Sequence, residues 1–531
     1  MGVRLGDEGN GASAGGRSGI SPAPGGRESP LRARRDGMLW RTVSWRTSLL
    51  VTLGAALMIT VSLGPMAEDL GRFSAVVWLV IALVGALQCL LLAELAARMP
   101  GRAGGTATYV HAAVGERAPI LGAASSWGYW FAWTPGIAVN LILAATYLRD
   151  TVWSGISTLG FALVIGAVLY ALNALGLRAS MRAAALAALL AVGPLIALVI
   201  GVIVQPSLID LDRLTPLSVP DHSWTAGATW LLIAKWMFVA AWAAYGAEMA
   251  STVVAEMREP AEHAPRAMKI AASMGVVVFG ALPFFVLALV GVGGLTEDPM
   301  AIFLPVAESV FGDAGRTIIG LMLTAALVLG AQAFMVGSSR TIYQMTRDGY
   351  LPRFFARLNS RGVPIGSIGC DAVVILLVLL VFGTDVVDVV ASANVGYLIV
   401  FVLLPIAYIV LRRGEAVGGG DAVGDGDGPA GAVSGASGDI GAGGGYRLGR
   451  GAVALAAALS AFNAVLLVVG GSQWGAKVVL TGAIVMAAIV PVMMLRRWED
   501  HRGGRTELLR FPAGAPHDPA EDTSLQPVAG A

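Results

Sequence analysis

The chain has 531 residues, 56% of them hydrophobic and only 13% charged. Soluble domains carry about 25% charged residues, and half that share cannot cover the surface of a water-soluble protein this long. With a mean hydropathy of +0.72, the composition excludes a soluble enzyme and places the chain in a bilayer. The formal net charge of +1 offers neither a basic field for nucleic acid nor an acidic one for cationic partners.

From the N-terminus, residues 1–45 are rich in Gly, Ser, Pro and Arg and read as a disordered tail, too polar to build a core. No small-residue cleavage site follows the first apolar run, so no cleaved signal peptide is expected. Twelve apolar runs then appear, at 48–66, 74–93, 120–148, 159–177, 183–204, 228–254, 271–292, 317–338, 366–382, 386–411, 452–469 and 478–495. At 1.5 Å per residue most can cross a hydrocarbon core of about 30 Å as helices, which satisfy their own backbone in lipid. The period-two alternation of a membrane barrel is absent. The expected fold is an all-α polytopic membrane protein with twelve transmembrane helices. Spans 1–10 form a core over 46–413. The Gly-rich stretch 414–451, with Asp421, Asp425 and Asp427, reads as a flexible linker. Spans 11 and 12 then form an appended pair over 452–496, and 497–531 is a second disordered tail. Cys89 and Cys370 lie within apolar runs and read as small core residues.

Charge placement sets the orientation. Arg32, Arg34 and Arg35 precede span 1, Arg98 and Arg102 follow span 2, and Arg178 and Arg182 separate spans 4 and 5. Arg258, Arg266 and Lys269 follow span 6, and Arg347, Arg353, Arg357 and Arg361 follow span 8. Arg412 and Arg413 end span 10, and Arg496 and Arg497 end span 12. With twelve spans, 30 of the 36 Lys and Arg fall on one side, which the positive-inside rule makes cytoplasmic. The opposite loops carry Glu68, Asp69, Asp210, Asp212, Glu297 and Asp298. Both termini are expected in the cytoplasm of a cell whose arginine-rich, lysine-poor usage points to a GC-rich bacterial genome.

Spans 1 and 6, the first helices of a five-plus-five division, both carry an interruption. Span 1 contains Ile59-Thr60-Val61-Ser62-Leu63-Gly64-Pro65, where Pro65 lacks an N–H and disfavours helix at Gly64. Span 6 contains Ala243-Ala244-Tyr245-Gly246-Ala247-Glu248, small residues beside a carboxylate. Unwound backbone at two such points exposes N–H groups for a carboxylate and C=O groups for an ammonium, a pairing suited to a zwitterion. A proline kink with ordinary small-residue packing is the plainer alternative. Charges within spans are few, and three of them are functional candidates. Glu248 could carry a coupling proton, hold a substrate amine or satisfy loosened backbone donors. Lys235 is expected to snorkel between tryptophans, and Asp371 to lie at an interface or pair with arginine. Asn140, Gln332, Ser338, Ser392 and Asn394 could line the same cavity, with Trp127, Tyr129, Trp130 and Trp133 as a wall.

The sequence contains no phosphate-binding G-x-x-x-x-G-K-[ST] loop, and no H-E-x-x-H motif, G-x-S-x-G motif or Cys/His cluster lies within the spans to offer an intramembrane enzyme site. An enzyme, a resident metal and a cofactor are therefore not expected, and secondary transport remains. At this point several segments resemble one family. Ala93-Glu94-Leu95-Ala96-Ala97-Arg98-Met99-Pro100 followed by Gly101-Arg102-Ala103-Gly104-Gly105-Thr106 resembles the "AEL…P…GG" signature of the amino acid–polyamine–organocation permeases. Trp130-Phe131-Ala132-Trp133 is similar to that family's aromatic entry to span 3. Gly246-x-Glu248, Ala255-Glu256, Glu259-Pro260 and Pro265-Arg266-Ala267 match around span 6. Ser339-Arg340, Tyr343, Arg347-Asp348-Gly349, Leu351-Pro352 and Val363-Pro364 follow in order after span 8.

The resemblance implies a five-plus-five inverted repeat, with repeat one at 46–204, repeat two at 224–413 and broken helices 1 and 6. It also implies an amino acid or amine substrate at those breaks and a coupling proton or counter-substrate. On that basis the substrate-binding candidates are Thr60, Val61, Ser62, Leu63, Gly64, Trp130, Ala243, Ala244, Tyr245, Gly246, Gln332 and Asn394. Glu248, Lys235 and Asp371 are the proton-coupling candidates. Two departures stand out: Thr60-Val61-Ser62-Leu63-Gly64 replaces the glycine-serine-glycine run usual in span 1, and span 5 carries no lysine. The expected activity is an amino acid permease of the cell membrane. The alternatives are an exporter or exchanger of a polyamine or modified amino acid, and a nutrient sensor that does not transport.

Overall fold

The computed structural model describes residues 44–46, 48–49, 56–99, 105–115, 117–175, 178–257, 259–357, 359, 363–418 and 446–502. Nearly all of both expected tails, the linker from 419 to 445, the start of span 1, and Arg102, Arg258 and Arg361 lie outside them. The regular elements of the described residues are helices. In chain order they are α1 (Leu63–Leu70), α2 (Ser74–Arg98), α3 (Thr106–Val114), α4 (Pro119–Thr151), α5 (Thr158–Leu175) and α6 (Arg178–Val204). There follow α7 (Gly227–Ala244), α8 (Pro260–Gly275), α9 (Leu282–Glu297), α10 (Phe303–Arg347), α11 (Ile365–Phe382) and α12 (Val386–Gly418). The last three are α13 (Ala452–Val465), α14 (Gly475–Ala487) and α15 (Ile489–Arg502).

Among the described residues, eight continuous helical stretches are long and apolar enough to cross a bilayer. The number is nine if Val192–Val204 and Pro206–Leu214, bent by 99°, count as one. The sequence pattern divides the same chain more finely, for a physical reason. Leu63–Arg98 is one stretch of 36 residues and Ala452–Arg502 one of 51, about 54 and 76 Å of helix against a core of about 30 Å. Each contains a glycine in the left-handed region, Gly71 at φ 55° and Gly475 at φ 77°, where the chain departs from the helix. Thr158–Ala174 is apolar but shorter than the rest.

The core is built around α4, which packs most extensively on α10 and α12. Of its most apolar window, 94% is buried, against 22% for the stretch Ala452–Arg502. The last helices are therefore peripheral to a tighter assembly. Small residues make the α4–α12 crossing close: a Cβ on Gly128 would lie 2.6 Å from the Gly396 carbonyl oxygen, as in small-residue helix pairs in membranes. Large apolar side chains such as Leu189, Ile203, Leu380, Val468 and Ile484 point outward and are more than half exposed. A band of that kind is tolerable only against lipid, which makes this a multi-pass membrane protein.

Candidate functional site

Both interruptions read from the sequence are breaks in the backbone. The first begins as a 3-10 helix, Ala56–Val61, stops at Ser62 with φ −136° and ψ −7°, and resumes as α1. Pro65 in the first turn of α1 fits a helix start, where its missing N–H costs nothing. Thr60 Oγ1 donates to the Leu57 carbonyl at 2.7 Å, and Thr60, Val61, Ser62, Leu63 and Gly64 are all buried. No side chain caps the N-terminus of α1, so its first turn presents backbone N–H groups. Gly64 lies against the backbone of Pro299, leaving no room for a Cβ. The second break follows α7: at Tyr245 the α-helix gives way to a 3-10 helix, Tyr245–Glu256. Ala243, Ala244, Tyr245 and Gly246 are buried there, and the Tyr245 hydroxyl donates to Asn463 Oδ1 of α13 at 2.9 Å. The Ala56–Val61 segment and α1 both pack on α7, which brings the two breaks into one neighbourhood.

Glu248, one turn into the second break, is fully buried. Four hydroxyls from four places in the chain surround it. Thr106 Oγ1 donates to its Oε2, and so do Tyr129 Oη at 3.3 Å and Ser251 Oγ at 3.3 Å. Tyr397 Oη donates to its Oε1 at 3.3 Å. Among the described residues no cation is hydrogen-bonded to it. Gly105 makes the Thr106 contact possible. It sits at φ 70°, and a Cβ there would lie 2.9 Å from the Tyr129 hydroxyl; only glycine combines that backbone with that approach.

The two tyrosines join this carboxylate to an aromatic box. The Trp133 ring lies 5.4 Å from Tyr397, 6.1 Å from Tyr129, 5.2 Å from Phe334 and 6.1 Å from Trp242. Trp242, on α7 just before the break, is itself fixed by donation from its Nε1 to the Ala132 carbonyl at 2.8 Å.

Other candidates are placed elsewhere. Trp130 Nε1 donates to Asp371 Oδ1 at 2.7 Å, in a hydrophobic cluster separate from the one containing the breaks. Asp371 is not interfacial or paired with arginine. It is fully buried and also accepts from Ser338 at 2.7 Å and Thr134 at 3.3 Å. This corrects the expectation from sequence, because neutral donors on α4 and α10 supply what an arginine would have supplied. Gln332 exchanges two hydrogen bonds of 2.8 Å with Asn173 of α5, so its amide is committed to helix packing. Asn394 donates through Nδ2 to the Phe238 carbonyl of α7, while its buried Oδ1 has no partner. Lys235 sits between Trp236 and Trp474, with Nζ 5.0 and 4.9 Å from the ring centroids, and pairs with Asp69 at 3.2 Å.

Sequence reasoning missed Thr106 and Tyr397 as partners of Glu248. Thr106 closes the Gly104-Gly105-Thr106 run and was visible as a motif residue; Tyr397 carries no local signal.

A family model described as Amino acid permease matches residues 43–489. Over 427 residues the chain is 27% identical to the lysine-specific permease LysP of Escherichia coli (strain K12), covering 75% of this chain and 81% of that protein. It is 28% identical over 291 residues to L-asparagine permease 1 of Mycobacterium tuberculosis (strain ATCC 25618 / H37Rv), covering 54% and 58%. It is 25% identical over 294 residues to the lysine-specific permease LysP of Lactococcus lactis subsp. cremoris (strain MG1363), covering 52% and 57%. In these last two matches the chain spans less than two thirds of the relative's length. The family match covers most of the chain and contains both breaks, Glu248 and the aromatic box, and the chain belongs to the amino acid permease family.

Proposed function

We propose that the protein moves amino acids or related amines across the cytoplasmic membrane by alternating access around its two broken helices, in a twelve-span, five-plus-five arrangement with cytoplasmic termini. Backbone N–H groups from Thr60 to Gly64 bind the substrate carboxylate, and carbonyls near Ala243 to Tyr245 bind its amine. The observation that carries this reading is Glu248, buried beside the second break with four neutral hydroxyl partners and an adjoining aromatic box. An ionised carboxylate without a counter-charge is costly in so dry a place. Two arrangements remove that cost: a proton on the carboxyl, or a cationic group beside it that the aromatic faces also attract. A site that alternates between them couples proton movement to amine binding.

The same box favours a second reading, an exporter or exchanger of a polyamine or modified amino acid, since nothing in it requires a carboxylate. Relatives named for lysine and for asparagine leave the side-chain preference open. A thermal-shift screen of amino acids and decarboxylated amines on the purified protein tests both. Ligand at 100-fold above its Kd stabilises by about 2.7 kcal/mol, so a substrate raises Tm by a measurable amount. A shift with amino acids but not with decarboxylated amines supports a site for the zwitterion, and the converse supports a polyamine substrate. No shift across the panel contradicts both.

A further inference from the structure

Glu94, the acidic residue of the Ala93-Glu94-Leu95 motif, takes no part in the site above, yet it is completely buried near the end of α2. It is the centre of a second polar cluster. Arg98, one turn on, donates to its Oε1. Its Oε2 accepts from the Tyr408 hydroxyl at 2.5 Å, from Arg412 Nη1 at 3.4 Å and from the backbone N–H of Leu448 at 3.0 Å. Arg412, near the end of α12, then turns its other nitrogen outward, donating from Nη2 to the carbonyls of Leu448 at 2.7 Å and Gly449 at 3.3 Å. The planar guanidinium fork makes this double engagement possible, and a lysine could not reproduce it. Two residues before Leu448, the Tyr446 ring lies 4.6 Å from Lys269 Nζ of α8. Both Tyr446 and Leu448 pack on the main hydrophobic core.

Residues 446–449 are therefore not free chain between α12 and α13. They lie across the final turns of α2 and α12 and beside Lys269 within α8, and both backbone groups of Leu448 are held by one Glu–Arg pair. The chain reaches this point only after the long glycine-rich sequence that follows α12, so its attachment is not imposed by a short connection.

We propose that residues 446–449 are a strap that ties the cytoplasmic ends of α2 and α12 to each other and to α8, with Glu94 and Arg412 as its positioning pair, and that its release opens the cytoplasmic side. This rests on the alternating-access reading, and its test is independent of any flux. Cys89 is a native reporter: it is fully buried in α2, five residues before Glu94 and so about 7.5 Å further along the helix. In a C370A background, with the full chain in proteoliposomes, maleimide labelling of Cys89 from the cytoplasmic side is expected to be slow. Labelling is expected to be about tenfold faster in R412Q, and equally fast in L448P, which deletes the N–H that Glu94 holds and leaves the helices untouched. Where amino acids are taken up, R412Q raises the external KM severalfold with little change in kcat, because fewer molecules face outward. Labelling unchanged in L448P overturns the strap, whether or not R412Q folds. Faster labelling in a protein that moves no substrate upholds the strap and contradicts the transport reading alone.

Discussion

Glu248 was conspicuous in the sequence because a carboxylate inside a span has few bland explanations. Its partners were not, because Thr106, Tyr129 and Tyr397 lie 142, 119 and 149 positions away, and nothing local marks their convergence. E248Q keeps the size of the side chain and removes its ability to exchange a proton. It is expected to abolish accumulation driven by a pH gradient while leaving Tm within a few degrees of the parent. Uptake with unchanged pH dependence would assign Glu248 to packing. Asp371 teaches the opposite lesson: its charge was legible, but its surroundings depend on which faces of α4, α10 and α11 meet. Outside the spans, burial and the neighbouring Asp150 carboxyl push Asp298 up to about 6 from 3.8. A carboxyl raised in the folded state stabilises the fold below its unfolded value and loses that contribution as pH rises through the folded one. The Tm advantage of the parent over D298N is therefore expected to shrink between pH 4 and pH 7. A constant difference across that range would show that Asp298 is not coupled to folding.

The breaks were the most legible elements, and for a physical reason. Proline and glycine act through the local backbone, so Pro65 and the small residues from Ala243 to Gly246 signal without help from distant contacts. The residue at which each helix yields, Ser62 and Tyr245, was within the runs singled out. Helix pairing was not legible, and Gln332 shows why. An amide on a span satisfies a neighbouring helix or a ligand equally well, and here it is paired with Asn173 through two hydrogen bonds. Q332A and N173A are each expected to lower stability by about 1–3 kcal/mol, the cost of leaving a buried amide unpaired. The double variant should cost less than the sum of the two, with ligand affinity unchanged. A tenfold loss of affinity in Q332A with Tm preserved would return Gln332 to the substrate site.

Across the molecule, the shortage of charge identified the bilayer and the family motifs pointed to the fold, while the number of crossings depends on how long helices are divided at Gly71 and Gly475. The same scarcity makes the placed charges informative. Glu248 lies at the break with hydroxyl partners, Lys235 is held by Asp69 and two tryptophans, and Glu94 and Arg412 clasp the segment before α13. Of these, Glu248 is the one we propose meets a substrate. The proposed function is tested most directly by uptake of radiolabelled amino acids and amines into proteoliposomes, measured with and without an inward proton gradient, for the parent and E248Q. It predicts gradient-driven accumulation of at least one compound by the parent and none by E248Q. Folded parent protein that moves no compound of a broad panel under either condition would contradict it.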